Sequence, residues 1–308
     1  MYDEYAQNGK SFYPDNSIIK NLSHDSRSDC TASKTQSNYI MHNKFVIFDN
    51  KTVYTGSMNF SKSGLSGYDV NDVAIINSES VADLYKAEFE QMLNGNFHKA
   101  KQKHNKPNRF LIGNTTLEVY FSPQDKTSYR IIELIKGANK YIYIPAFLIT
   151  HTNIAQELIN AHNSKVDVKI ILDANSVNSR NTKHGILRTA GIPVKIENYA
   201  GKLHSKTMII DDAYLILGSM NFSNSGENKN DENLLVIKNS GFAKSHKNFF
   251  NYLWKMIPDK YLKFNPKPES PDSIGSCFDG VDNNFNGKID KDEPFCHPNS
   301  QSKKPVHK

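Results

Sequence analysis

H-N-K-F-V-I-F-D-N-K-T-V-Y-T-G-S-M-N-F, residues 42–60, returns at residues 204–222 as H-S-K-T-M-I-I-D-D-A-Y-L-I-L-G-S-M-N-F. Both stretches fit H-x-K-x4-D-x6-G-S-x-N without a gap, and the likeness runs on through Ser61 and Ser223 to Ser63-Gly64 and Ser225-Gly226. Farther on, Val73–Ile76 and Leu234–Ile237 read as matching strands, each followed by an Asn-Ser pair and an amphipathic helix, near 79–94 and 241–256. Turn chemistry accounts for Asp49 to Gly56 and Asp211 to Gly218, since Asp and Gly favour turns. It does not account for a His and a Lys two apart in each copy. The chain is therefore read as two related halves.

Working outward, Leu117–Phe121, Tyr141–Ile144, Val166–Leu172, Val194–Glu197, Lys206–Ile210 and Tyr214–Leu217 join Leu234–Ile237 as expected strands. Helices are expected near 127–138, 153–162 and 177–190. This predicts an α/β fold with helices covering both faces of a mixed sheet. The halves are placed at 1–108 and 109–257. Asp3 is matched to Asp173, but about fifty residues of strand and helix precede Asp173 and almost nothing precedes Asp3. The first half is thus expected to be short at its front, leaving a sheet edge uncovered.

Residues two apart on a strand point to one face, so His42 projects with Lys44 and His204 with Lys206. Asn59 and Asn221 reach the same patches from the neighbouring strands, and Ser57 and Ser219 add hydroxyl groups. If the halves pack about a pseudo-twofold axis, the patches face one another: two imidazoles flanked by two ammoniums and two amides. That set suits in-line displacement at a phosphodiester. One neutral His attacks phosphorus, while the other, protonated, donates to the leaving alcohol and then activates water. Lys44, Lys206, Asn59 and Asn221 donate to the non-bridging oxygens. Asp49 and Asp211 fall on the other face and are given a structural role in their hairpins.

These motifs resemble the phospholipase D superfamily, and the resemblance covers residues 3 to about 257. It implies a two-half phospholipase D-like α/β fold, a phosphohistidine intermediate and catalysis without a metal or other cofactor. It also implies an acidic residue behind the catalytic His. In the second copy this is Glu232, 28 residues after His204; the gapless counterpart in the first copy is Val70, with Asp69 or Asp72 as substitutes if the loop shifts. Family precedent makes His42 the nucleophile, whereas Glu232 behind His204 would favour the other ring.

The C-terminal part reads differently. Residues 258–276 carry four prolines and are expected to be a linker. Residues 277–296 then give C-F-D-G-V-D-N-N-F-N-G-K-I-D-K-D-E-P-F-C, in which Asp282, Asn284, Asn286, Asp290 and Glu293 fit a calcium loop, with Lys288 offering its carbonyl. The segment resembles the Cys-bracketed calcium repeats of bacterial surface and secreted proteins. That likeness implies bound Ca2+, a Cys277–Cys296 disulfide and an oxidising, secreted or surface location. Cys30 is then the odd cysteine, and 297–308 is expected to be a solvated tail.

Hydrophobic residues are 38% and charged residues 23%, with a net charge of +6. The excess suits an anionic partner, and no apolar run is long enough to span a membrane. Two substrates fit the motif. Phospholipid would use Tyr143, Pro145, Phe147, Leu148 and Ile149 at the cleft mouth, although these read equally as core; nucleic acid would use Arg180, Lys183, Arg188, Lys202 and Lys229. With both motifs in one chain, a monomer suffices. Two further alternatives are transfer to an alcohol instead of water, and a catalytically impaired surface protein that binds anionic polymers.

Overall fold

The computed structural model of the chain describes residues 39–179, 181–284 and 286–297. Asp3, Cys30, Arg180 and the tail from residue 298 lie outside them. The first copy of the repeat forms β1 (Phe45–Phe48), β2 (Thr52–Gly56), α1 (Lys62–Leu65), β3 (Val73–Asn77) and α2 (Glu79–Leu93). Then come β4 (Arg109–Ile112), β5 (Thr115–Ser122), α3 (Thr127–Lys136), β6 (Tyr141–Ala146), α4 (Thr152–Asn163), β7 (Asp167–Leu172), α5 (His184–Thr189) and β8 (Val194–Ile196). The second copy supplies β9 (Met208–Ile210), β10 (Tyr214–Gly218), α6 (Asn224–Asn228), β11 (Glu232–Lys238) and α7 (Ser240–Met256).

Two sheets result, one of order β1-β2-β3 and one of order β4-β5-β11-β10-β9-β6-β7-β8. Among the described residues β6–β7 and β7–β8 run parallel, through helical crossovers, and the other strand pairs are antiparallel. Each repeat hairpin turns on two successive left-handed residues, Asp49-Asn50 (φ 52° and 51°) and Asp211-Asp212 (φ 57° and 52°). Asp and Asn tolerate that conformation better than other side chains. The α/β architecture matches the expectation from periodicity, and β1 is an edge strand among the described residues.

One apolar layer lies under α3, α4 and α5, with Ile131, Ile154, Leu187 and Ile170 fully buried. The other joins the halves: Val53, Leu84 and Tyr85 of the first share a cluster with Val119, Leu217 and Phe250 of the second. Burial of this order, about 25 cal/mol per Å² of apolar surface, is what holds the small sheet on the large one.

Three local expectations change. The pairs His42/Lys44 and His204/Lys206 lie not on strands but in the extended approaches to β1 and β9, tied by single bridges at Met41–Asp231, Leu203–Val70 and Lys206–Ala146. The helix expected over 177–190 divides into a short turn at Ser176–Asn178 and α5. Residues 258–276, read as a linker from their prolines, are packed down: Tyr261, Glu269, Ser273 and Ser276 are buried, and Ile274 bridges Tyr199. Proline removes donors, yet here serine hydroxyls and the Glu269 carboxylate bond the segment's own backbone and its neighbours.

Candidate active site

The two motif histidines are held by the opposite half. The N–H of His42 donates to the Asp231 carbonyl (2.9 Å), and that of His204 donates to the Val70 carbonyl (2.9 Å). One residue beyond each carbonyl stands the group that meets the imidazole. Glu232 Oε2 is 2.7 Å from His42 Nδ1, and Asn71 Oδ1 is 3.0 Å from His204 Nδ1. The motif serines complete each pair: Ser219 Oγ donates to Glu232 Oε2 (2.7 Å) and Ser57 Oγ to Asn71 Oδ1 (3.0 Å). The same hydroxyls accept the N–H groups of Asn233 (3.0 Å) and Asp72 (2.9 Å). Ser57 and Ser219 therefore orient the partners of the histidines.

This arrangement corrects the pairing expected from sequence. Glu232 serves His42, not the His204 of its own copy. In the first copy the equivalent position is Asn71, and Val70, Asp69 and Asp72 do not take it. The loop from Ser57 to Asn71 is one residue longer than that from Ser219 to Glu232, so a gapless alignment from the histidine slips by one. The strands carried the right register: Asn71 lies two residues before Val73, as Glu232 lies two before Leu234. Gly56 and Gly218 are explained by close approach. A Cβ there would stand 2.1 Å from the Asp72 carbonyl oxygen and 2.4 Å from that of Asn233, so no other residue fits without moving the strand that carries the partner.

Electrostatics show the two motifs to be neighbours. The pKa of His42 is lowered by burial and by Lys44 and Lys206, with Glu232 opposing. That of His204 falls further, through burial and then Lys206, Lys44 and His42. Lys206 is itself pushed well down by burial and by Lys44. Lys44 Nζ donates to the carbonyl of His42 (2.6 Å) and Lys206 Nζ to that of His204 (2.5 Å), so each lysine is braced beside its own histidine. Phe147 lies edge-on to His204, 5.3 Å between centroids, and under Lys206 Nζ at 5.1 Å. Asn59 and Asn221 are partly buried on the segments after β2 and β10. Asn221 Oδ1 is buried with no partner.

The other expected residues divide. Asp211 caps the start of β6, accepting the N–H groups of Asn139 (2.6 Å), Lys140 (2.8 Å) and Tyr141 (2.8 Å). Asp49 takes the matching turn of the first hairpin, exposed. Arg188 is committed to the carbonyls of Val194 and Tyr261 and to Asn265, which removes it as a nucleic-acid contact. Asp173 is fully buried and accepts the N–H groups of Asn175, Ser176 and Leu203, fixing the chain just ahead of His204. Burial pushes Asp173 up to about 6, and burial together with the neighbouring Asp173 pushes Glu197 well above the usual carboxylate range.

Sequence reading missed a buried ionic group beneath His42. Lys101 Nζ meets Glu88, Asp231 Oδ1 (2.8 Å) and the Ser122 carbonyl (3.1 Å). The N–H of His98 donates to the same Asp231 oxygen (2.8 Å). Burial alone would lower Lys101, but Asp231 and Glu88 outweigh it and raise its pKa. Glu88, Lys101 and Asp231 come from distant parts of the chain, and only their shared contact marks them.

The C-terminal loop is closed by the Cys277–Cys296 disulfide (S–S 2.03 Å). Asp282 accepts the N–H groups of Asn286 (3.1 Å) and Gly287 (2.7 Å), Asn284 also accepts that of Asn286 (3.1 Å), and Asn286 accepts that of Lys288 (2.9 Å). Asn286 Nδ2 reaches Glu293 (2.6 Å). Asp290 faces away, bonding Asp279 and Gly280 N–H groups. Among the described residues no three His, Cys, Asp or Glu side chains are gathered as a metal cluster. The loop leans on the repeat: Tyr68 donates to Asp279 and Asn283, and Asn175 donates to the Asn283 carbonyl.

A family described as "Cardiolipin synthase, PLD-like domain" matches residues 2–93 and 131–254. A phospholipase D of Rickettsia prowazekii is 31% identical over 141 residues, covering 46% of this chain and 69% of that protein. A mitochondrial cardiolipin hydrolase of Xenopus laevis is 25% identical over 146 residues, 47% of this chain and 70% of its own. Among solved structures, the phospholipase D family member Nuc from Salmonella typhimurium is 27% identical, with a TM-score of 0.44 over 47% of this chain and 97% of that one. Phosphatidylserine synthase of Haemophilus influenzae shares the fold, at a TM-score of 0.54 and 12% identity over 72% of this chain and 64% of that one. With the family matched over most of its length and both motifs intact, the chain belongs to the phospholipase D-like family of phosphodiesterases.

Proposed function

We propose that the chain hydrolyses phosphodiester bonds of phospholipid or nucleic acid without a catalytic metal, with His42 as nucleophile and His204 as acid and then base. The observation that carries this reading is the unequal pair of partners, Glu232 on His42 and Asn71 on His204. Nε2 of His42 attacks phosphorus as the bond to the leaving oxygen breaks, and His204 gives that oxygen its proton. The Glu232 carboxylate stabilises the positive charge that the His42 ring acquires. An amide on His204 fixes the tautomer without stabilising the imidazolium as a carboxylate would, so His204 is the stronger acid. In the second step His204 takes a proton from water, the water oxygen bonds phosphorus, and the phosphorus–nitrogen bond breaks. Lys44 and Lys206 supply the positive charge on the non-bridging oxygens that a metal would otherwise supply.

Asn71, and not Val70, stands at the position behind His204 and hydrogen-bonds its ring, which favours catalysis over a protein that only binds anionic polymers. The test is turnover of bis-(p-nitrophenyl) phosphate in EDTA beside His204→Ala. Turnover that EDTA abolishes while the fold persists overturns metal-free chemistry; equal turnover in the variant overturns the role of His204.

A second proposal concerns the C-terminal loop, where Asp282 and Asn284 accept loop N–H groups, Asn286 Nδ2 reaches Glu293, and Glu293 is buried at the loop's end. These residues suit Ca2+, with the Lys288 carbonyl as a further ligand. A rise in melting temperature on adding Ca2+, absent in Asp282→Ala, is expected; no rise overturns it. The Cys277–Cys296 pair favours an oxidising, secreted or cell-surface location.

A further inference from the structure

We propose that the outer face of α7 is a docking surface for a membrane containing anionic phospholipid. The helix buries Ala243, Phe250 and Leu253 against the second half. Beside that face it leaves Phe242 (52% exposed), Phe249 (41%), Tyr252 (58%) and Met256 (60%) in the open. Their spacing of seven, three and four residues lines them along one stripe. The helix itself carries Lys244, Lys247 and Lys255 and no Asp or Glu; beyond it come Asp259, which pairs with Lys195, then Lys260, Lys263 and the exposed Phe264. Lys247 turns inward to Asp212 (2.5 Å), while Lys244 and Lys255 stay exposed on the far side of the stripe.

The fold does not require this. Helix α2 takes the same place after β3 in the first half, and its exposed charged side chains are Glu79, Asp83, Lys86 and Glu90, with no large apolar residue among the exposed ones. An apolar stripe flanked by lysines and free of acids matches a lipid surface. The rings and Met256 enter the headgroup boundary, the lysine stems lie along it, and their ammoniums meet anionic headgroups. A second copy on the same face would oppose lysine to lysine, and a nucleic acid would leave the aliphatic Met256 without a partner.

The surface is also connected to the reacting groups. His246 on the same helix is 3.5 Å from Asp72, which accepts Thr207 Oγ1 (2.6 Å) and adjoins Asn71 behind His204. As a statement about binding the proposal stands alone. As a statement that membrane phospholipid is the substrate, it rests on the phosphodiesterase reading above.

The test is co-sedimentation of the full chain with phosphatidylcholine vesicles, with and without phosphatidylglycerol. It compares wild type with Phe249→Ser/Tyr252→Ser and with Lys244→Glu/Lys255→Glu. Wild type is expected to sediment with the anionic vesicles, less so at high salt, and each double variant to lose about tenfold in affinity or more. Bis-(p-nitrophenyl) phosphate turnover and circular dichroism are expected to be unchanged in both variants. Equal sedimentation of the variants overturns the proposal, as does loss in the same variants of a concentration-dependent dimer or of single-stranded DNA binding in place of vesicle binding. Vesicle binding with no turnover in any form leaves this proposal standing and removes the catalytic one.

Discussion

The two halves present the same His-x-Lys, the same Gly-Ser-x-Asn and the same serine brace, yet one ring meets a carboxylate and the other an amide. Symmetry of motif thus coexists with asymmetry of charge. Because each partner crosses to the opposite half, the halves need each other for chemistry as well as for the shared core. Under the proposed mechanism the carboxylate falls on His42, the ring that would carry positive charge when phosphorylated, and the amide falls on His204, the ring that would give up a proton.

The comparison breaks most visibly if either ring is removed. His42→Ala should reduce turnover by at least about 10⁴-fold with no initial burst of p-nitrophenol. In His204→Ala that leaving group needs little protonation, so a burst should appear and then stall for want of a base. Stopped-flow absorbance distinguishes them, and matching traces would mean that the halves are equivalent. Next, Glu232→Gln should cost about 10² to 10⁴ in kcat, because the ring loses the charge that stabilises its cation; steady-state kinetics would reveal a smaller loss.

A third effect is on stability. Lys101→Met takes the shared lysine from the buried Glu88 and Asp231 on the His42 side alone, leaving them His104 and His98, and urea unfolding should register a loss of about 3–5 kcal/mol. The smallest change sharpens the comparison by making the halves alike. His204 is held well below its ordinary pKa by burial and the lysines, so kcat/KM should fall as pH rises through that lowered value. The limb in kcat should lie higher, because bound phosphodiester adds negative charge. Asn71→Asp favours the imidazolium and should move the alkaline limb of kcat/KM up by about one to three units. An unmoved limb would separate Asn71 from His204.

Much of this was legible in the sequence. The repeat singled out His42, Lys44, His204 and Lys206, and periodicity placed β6, β7, β10, β11, α2 and α7 within a few residues. What failed was relational. The partner of each histidine depends on which half packs across it, and a one-residue difference in loop length moved Asn71 out of alignment. The Lys101 group joins residues with no common spacing. Composition reads 258–276 as a linker because prolines and serines describe a turn-rich chain equally well whether it is solvated or, as here, buried.

The central claim is that His42 takes the phosphoryl group. Acid-stable trapping is unsuited to phosphohistidine, so the intermediate should be quenched in base and its peptides mapped by mass spectrometry, using His204→Ala to hold the first step. With bis-(p-nitrophenyl) phosphate the expected result is the p-nitrophenyl phosphoryl group on the peptide containing His42 and on no other peptide. In wild type, label on His204 with none on His42 would contradict the assignment of Glu232 and reverse the roles of the two halves.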